Sequence, residues 1–393
     1  MTSHFRKPIS APLFGLALSF TAIVTPAFAF EPSGNDIADA FLTLLEAEEG
    51  TVESYGNVTQ NGDTVTIEAI KLTEESGKSV VVTLAETALS DAEQLTNGRM
   101  RVGKFTINGL NLRADDGELA IASFDASDLV LPSPEEAASS ADAGAIAPSY
   151  SELEIHGTTV SDEEGNQATV ARIFVAIDEM EGDLPTASRF NIEGLVVDTA
   201  TLDDEGRKAL SDLGYDKLTL NAEGSGKWDP ETAIVTVSDL SITGLEAGKF
   251  TVAFQLGGVT REVVAELNKS QDNPENALAL LQGISVEMIN IRLDNDSLVE
   301  RVLDMQAKEA GTDRAGIVAQ LEAGLPFMLG ILQNPQFQAE VASSLTSFLR
   351  EPGSLTVKAS PASPVPVTQI MGTVMMAPQN LPQVLGIAVS AND

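Results

Sequence analysis

Phe105-Thr106-Ile107-Asn108-Gly109-Leu110-Asn111-Leu112 decides the reading of this chain. Apolar and polar residues alternate on both sides of Asn108-Gly109, the period of strands with one face turned inward. The segment runs into Asp115-Asp116-Gly117, whose residue types suit a tight turn. Leu119-Ala120-Ile121 and Leu129-Val130-Leu131 then continue the pattern. A second copy follows as Phe190-Asn191-Ile192-Glu193-Gly194-Leu195, and Ile67, Leu72 and Gly77 are matched by Ile155, Val160 and Gly165. Short strands at hairpin spacing, occurring twice, predict an antiparallel meander built from two similar β units.

Working outward, Val58-Thr59-Gln60 and Thr64-Val65-Thr66-Ile67 flank Asn61-Gly62, the signal of a type I′ hairpin. Ile70-Lys71-Leu72 and Val80-Val81-Val82 flank a turn at Gly77. Ahead of these, Asp36–Glu49 reads as a helix with Ile37, Ala40, Phe41, Leu44 and Leu45 on one face, capped by Asn35 or Asp36 and ended by Gly50. The first β unit spans residues 51–131, after an N-terminal helical segment at 30–50. Pro132 to Ser149, rich in Pro, Ala, Ser and acid, reads as a linker at 132–149. The second β unit covers 150–260 and contains a helical insert at Asp203–Leu213. From 270 to 393 the period changes to that of helices, with candidates at Pro274–Leu281, Ser297–Glu309, Asp313–Leu332, Pro335–Leu349 and Val365–Met376. Ser297-Leu298-Val299-Glu300 has capping-box spacing. Ser354–Ala359 and Ile387–Val389 read as closing strands. The expected class is α+β, a β-meander or groove followed by a mainly helical C-terminal region.

The first 29 residues have the make-up of an export leader. Arg6 and Lys7 precede an apolar stretch from Ala11 to Val24, and Ala27-Phe28-Ala29 gives a small-x-small cleavage site. Cleavage after Ala29 and a periplasmic location are the expectation. No later segment has eighteen uninterrupted apolar residues, so no further membrane span is expected. Gly316–Leu332 reads as a buried core helix, since Gln320, Glu322 and Pro326 interrupt it. Met371, Met375 and Met376 read as gap-filling core.

Composition removes several chemistries. The 393 residues carry 58 acidic and 23 basic side chains, a net charge of −35. Phosphate backbones are bound through Lys and Arg, so nucleic acid is an unsuitable partner. The chain has no cysteine, which excludes disulfides and thiol catalysis. Outside the leader there is one histidine, His156, set in an alternating strand, where a structural role is expected. Metal centres built from His and Cys are therefore not expected, and no cofactor is. Asp294-Asn295-Asp296 starts like a calcium loop but places Leu298 at a ligand position. With one Trp and three Tyr, the aromatic platforms of sugar-cleaving clefts are scarce.

The β half, on Ile107-Asn-Gly-Leu-Asn-Leu112 and Asp115-Asp-Gly117, resembles the repeating units of AsmA- and TamB-like envelope proteins. Ser297-Leu-Val-Glu-Arg-Val302, Ser354-Leu-Thr-Val357 and Pro364-Val-Pro-Val367 are similar to exported proteins of Gram-negative bacteria. The first resemblance implies a long sheet with an apolar inner groove and a link to lipid movement. The chain departs from that family in lacking a retained N-terminal membrane helix. The expected function is non-catalytic: a soluble periplasmic protein binding lipid or another apolar ligand for envelope maintenance. Candidate ligand-facing residues are Ile107, Leu110, Leu112, Ile192 and Leu195. An envelope scaffold that docks partner proteins without a ligand, and a carboxylate-based hydrolase, remain open beside it.

Overall fold

The computed structural model describes residues 30–47, 50–74, 80–139, 149–182, 184–269 and 281–393. The expected leader, the turn at Gly77 and the candidate helix Pro274–Leu281 lie outside or largely outside these residues. The chain divides into two compact units, Met1–Gly165 and Asn166–Asp393.

In the first unit, helix α1 (Asp36–Ala47) precedes strands β1 (Thr51–Ser54), β2 (Val58–Asn61), β3 (Thr64–Glu74), β4 (Val80–Gln94), β5 (Met100–Ala114) and β6 (Gly117–Leu131). A short helix α2 (Pro134–Ser139) and strand β7 (Glu152–Asp162) complete it. The strands pair antiparallel in the order β1-β3-β4-β5-β6-β7, with β2 on β3. The segment expected as a linker therefore joins two paired strands.

Asn35 caps α1, its Oδ1 accepting from the Ile37 and Ala38 amides at 3.1 Å each. Ala38, Phe41, Leu42 and Leu44 are the buried residues of the helix. It lies on the inner face of the sheet, and its Phe41 ring stands 5.6 Å from Phe105. Ile67, Ile70, Leu84, Leu89, Val102, Phe105 and Ile107 join this core.

In the second unit come β8 (Gln167–Glu181), β9 (Leu184–Asp198), α3 (Asp204–Asp212), β10 (Lys217–Asp229), β11 (Ile234–Gly244), β12 (Gly248–Gly257), α4 (Arg261–Lys269) and β13 (Ser285–Asn295). Helices α5 (Leu298–Ala310), α6 (Arg314–Leu329) and α7 (Pro335–Arg350) follow. The unit ends with β14 (Ser354–Ala359), β15 (Val365–Pro366), α8 (Val367–Met376), α9 (Leu381–Leu385) and β16 (Ile387–Ala391). The strands again pair antiparallel in chain order, β8 to β14 and then β16, with β15 on β13. An antiparallel β-meander with helices mostly towards the C-terminus is the architecture.

Several strands are far longer than their sequence suggests. Phe105–Ile107 and Leu110–Leu112 read as separate short strands, yet both lie in the fifteen-residue β5. The cause is a recurring local device. Ile67-Glu-Ala69-Ile70, Ile107-Asn-Gly109-Leu110, Ile155-His-Gly157-Thr158 and Ile192-Glu-Gly194-Leu195 each place their third residue at positive φ (51°, 64°, 62° and 65°). The backbone jogs there and the strand resumes, so the period-two pattern slips without the strand ending. A neighbouring alanine faces each glycine: a Cβ on Gly109, Gly157 or Gly194 would lie 3.0, 2.9 or 2.8 Å from that of Ala85, Ala122 or Ala171. The repeat thus has a finer period of one hairpin within the two-unit repeat.

Four further expectations are corrected. The first hairpin turns on Gly62-Asp63, with Asn61 paired to Thr64. Positive φ falls on Gly62 and not on Asp63, the pattern of a II′ turn rather than I′. Ser297 does not build a capping box, because its hydroxyl donates to the Glu246 carbonyl and accepts from Arg301 Nε. Asn295 substitutes, its Oδ1 accepting from the Val299 amide at 2.9 Å.

Gly316–Leu332 is not a buried core helix. Within α6 only Ile317 and Leu325 are buried. Ile317 packs with Leu303 and Ala307 of α5, and Phe327, Met328 and Ile331 face solvent. Met371, Met375 and Met376 are exposed as well rather than filling a core.

Candidate functional site

Paired residues in neighbouring strands share a face, and consecutive residues alternate faces. In the second unit this rule separates two surfaces of opposite character. One row runs Ile173–Ile192–Ala222–Ile242–Phe250–Leu293–Leu355–Ala391 across eight strands. The parallel row beside it runs Val175–Phe190–Gly224–Leu240–Val252–Ile291–Val357–Val389. Neither row contains a polar side chain. Gly224 makes room for the Phe190 ring, which would stand 2.4 Å from a Cβ there.

The opposite face reads Phe174–Asn191–Glu223–Ser241–Thr251–Arg292–Thr356–Ser390. Phe174 is its one apolar member, and Arg172 and Arg189 stack on that ring at 5.0 and 5.4 Å. Lys249 Nζ donates to Glu223 Oε1 at 2.8 Å. That hydrogen bond and the lysine charge hold the Glu223 carboxyl below its usual range. This face is polar, and on it Asn191 Oδ1 is buried without a hydrogen-bond partner.

The apolar face is not covered along its length. Ile242 is 54 % exposed, Phe250 45 %, Leu240 41 %, Ile291 37 % and Val357 36 %. At its far end it gains a lid. Ile289 and Ile387 pack with Ala359, Val365 and Leu385, and with Ile370 of α8 and Leu381 and Val384 of α9.

The five residues singled out from sequence fall on faces of different character. Ile107 is buried under α1, and Leu110 packs against the same core. Leu112 is half-buried one row further out, paired with Val82 and Leu119. Ile192 lies in the open apolar row of the second unit, and Leu195 is paired with Leu220 at the margin of that face. Sequence reasoning missed Leu240, Ile242, Phe250, Ile291 and Val357. The signal was present as alternation in Leu240-Ser-Ile242 and Phe250-Thr-Val252. Nothing in those residues says that no helix covers them.

The described residues also contain a cleft of about 720 Å³ among α5, α6 and α7, lined by Asp304, Asp313, Arg314, Glu322 and Arg350 among others. Arg314 Nε donates to Asp304 Oδ1 at 2.7 Å, and Arg350 Nε to Glu322 Oε1 at 2.6 Å. These hydrogen bonds lower both carboxyls. Elsewhere His156 sits on an exposed strand face, its Nε2 3.1 Å from Glu154 Oε1. No group of three or more His, Asp or Glu placed to hold a metal occurs among the described residues.

A family model described as "Uncharacterized protein" matches residues 241–392. That stretch carries Ile242, Phe250, Ile291 and Val357 together with all helices from α5 onward. No curated protein matches the chain.

Proposed function

We propose that the second unit receives an acyl chain or similar apolar ligand on its open sheet face, as a non-catalytic lipid-binding protein of the cell envelope. The observation that carries this reading is the half-exposed set Leu240, Ile242, Phe250, Ile291 and Val357, held on one face of four neighbouring strands. Strands lie about 4.8 Å apart, so the set spans about 15 Å. One leaflet of a bilayer core has a similar thickness, about half of 30 Å.

The chemistry of the face favours a lipid over a protein or a sugar. Energetic centres of protein interfaces are enriched in Trp, Tyr and Arg, and the two open rows have none. An acyl chain asks for no hydrogen bonds, and the face offers none. Covering each half-exposed side chain is worth on the order of 1 kcal/mol. In the first unit α1 already occupies the equivalent surface, so the ligand site belongs to the second unit. The leader-like first 29 residues support a location outside the cytoplasm, and the AsmA- and TamB-like sequence pattern supports a role in the envelope. A hydrolytic role is disfavoured in the α5–α7 cleft, where arginines keep Asp304 and Glu322 charged while a general acid needs a raised pKa.

Native mass spectrometry with organic extraction, on protein purified from its source cells, tests the proposal. Bound lipid is expected to survive purification and to be lost in Ile242→Asp and Phe250→Asp. A lipid-free wild-type protein that also fails to take up a fluorescent fatty acid would sink the reading and move attention to protein partners.

A further inference from the structure

We infer that the helical end of the second unit docks onto a phospholipid bilayer surface through Phe327, Met328, Ile331, Met375 and Met376. Phe327 is 91 % exposed, Ile331 81 %, Met375 83 % and Met376 84 %. Such large apolar side chains are ordinarily at least half covered. They come from two separate segments that meet in space. Asn334 Nδ2, just after Ile331, donates to the Gln379 carbonyl, just after Met376, at 3.3 Å.

Charge selects the partner. The chain carries 58 acidic residues, yet no Asp, Glu, Lys or Arg occurs between Glu322 and Glu340, or between Lys358 and Asp393. The two segments that meet at Asn334 and Gln379 are those two charge-free stretches. Elsewhere the acidic surface is repelled by anionic headgroups; at this end the repulsion is removed and apolar side chains project instead. Lipid association by an apolar face scales with the apolar area it inserts, and it needs none of the shape complementarity that a protein partner would demand.

The geometry points to interfacial docking and not to a span. Helix α6 begins at Arg314 and has Glu322 on it, and Glu322 is engaged by Arg350 of α7. The large apolar side chains it exposes, Phe327 and Met328, lie in its last turn, and Ile331 follows directly after. The docked end is continuous with the ligand face, because Ile370 of α8 and Leu381 and Val384 of α9 pack on Ile289 and Ile387 at the end of that face.

The test is flotation of the processed chain, Phe30–Asp393, with phosphatidylcholine vesicles, so that the apolar leader contributes nothing. Wild type is expected to float with the vesicles. Combined Phe327→Ser, Ile331→Ser, Met375→Ser and Met376→Ser is expected to partition at least tenfold less while melting at the same temperature. Phe327→Trp supplies a second readout, with emission shifting to the blue on vesicles, against Trp228, which is already buried. Adding phosphatidylglycerol should weaken binding at low salt and less so at high salt. The inference is overturned by wild type staying at the bottom while Phe327→Trp shows no blue shift on vesicles, by the serine variant floating like wild type, or by binding that strengthens on anionic vesicles. Ile242→Asp is expected to float normally, so failure of the ligand reading and failure of this one give different results.

Discussion

Thr87 is fully buried between Ile67 and Ile107, and its hydroxyl has no hydrogen-bond partner. A hydroxyl stripped of water and left unpaired costs about 1–3 kcal/mol. Valine has the same shape without the hydroxyl, so Thr87→Val is expected to raise stability by about 1 kcal/mol, read as a higher urea midpoint at unchanged slope. An unchanged or lowered midpoint would count against the burial argument. Gly194 gives the opposite sign. Its φ of 65° and the 2.8 Å approach of Ala171 make Gly194→Ala doubly unfavourable. The left-handed backbone alone costs about 1–2 kcal/mol for an ordinary residue. Ala171→Gly in the same chain should return part of the loss, the part due to contact, and leave the backbone part in place. A double variant no better than Gly194→Ala would remove the contact from the account.

At the scale of elements, the starts of α2 and α5 show how differently similar signals are realised. Ser133-Pro-Glu-Glu136 is a working capping box: the Ser133 amide donates to Glu136 Oε2 at 2.9 Å and the Glu136 amide donates to Ser133 Oγ at 3.2 Å. Arg99 adds two further donors and, with the Ser133 amide, takes the Glu136 carboxyl down to about 2 from 4.5. The folded value lies below the unfolded one, so this clamp contributes above about pH 4.5 and is lost as pH falls towards 2. Melting curves of wild type and Arg99→Gln should therefore differ at neutral pH and converge in acid. Ser297–Glu300 has the same spacing, but Glu246 and Arg301 engage the serine hydroxyl, and no local reading of sequence anticipates partners so distant. Helix α1 is the element that closes the first unit, and Phe41→Ala should cost about 3–5 kcal/mol in urea unfolding. Most strands, the insert helix α3 and helices α5 to α8 were legible because their periodicity is local, whereas β13 fell in a stretch read as helical and α4 and α9 were not anticipated. Strand length was not, because the positive-φ residues at Ala69, Gly109, Gly157 and Gly194 interrupt the alternation while the hydrogen-bonded ladder continues. The apolar composition of α6 was legible too, but composition carries no information on what covers it.

For the whole molecule, charge and apolar surface divide the exterior between them. With a net charge of −35, self-repulsion works against the compact state. Raising ionic strength from about 0.01 to about 0.15 M shortens the screening length from about 30 to about 8 Å. The thermal midpoint is expected to rise over that range, since the surface ion pairs weakened by the same salt contribute little. A falling midpoint would show that ion pairs such as Arg314–Asp304 outweigh the repulsion. The candidate ligand face was legible only in part for the same reason of scale: Ile192 and Leu195 announce an apolar row, but Ile107 looks identical in sequence and is covered by α1. Coverage is a property of the assembled unit.

The meander order has a kinetic consequence. Within each unit almost every ladder joins strands adjacent in the chain, so the loops that must close are short and their entropy cost small. The β4–β5 and β5–β6 ladders, for instance, need only a hairpin turn to begin. A chain emerging N-terminus first can add each strand to the edge left by the one before, without waiting for distant partners. Each newly exposed edge is masked by the next strand to arrive, which shortens the time in which another chain could pair with it.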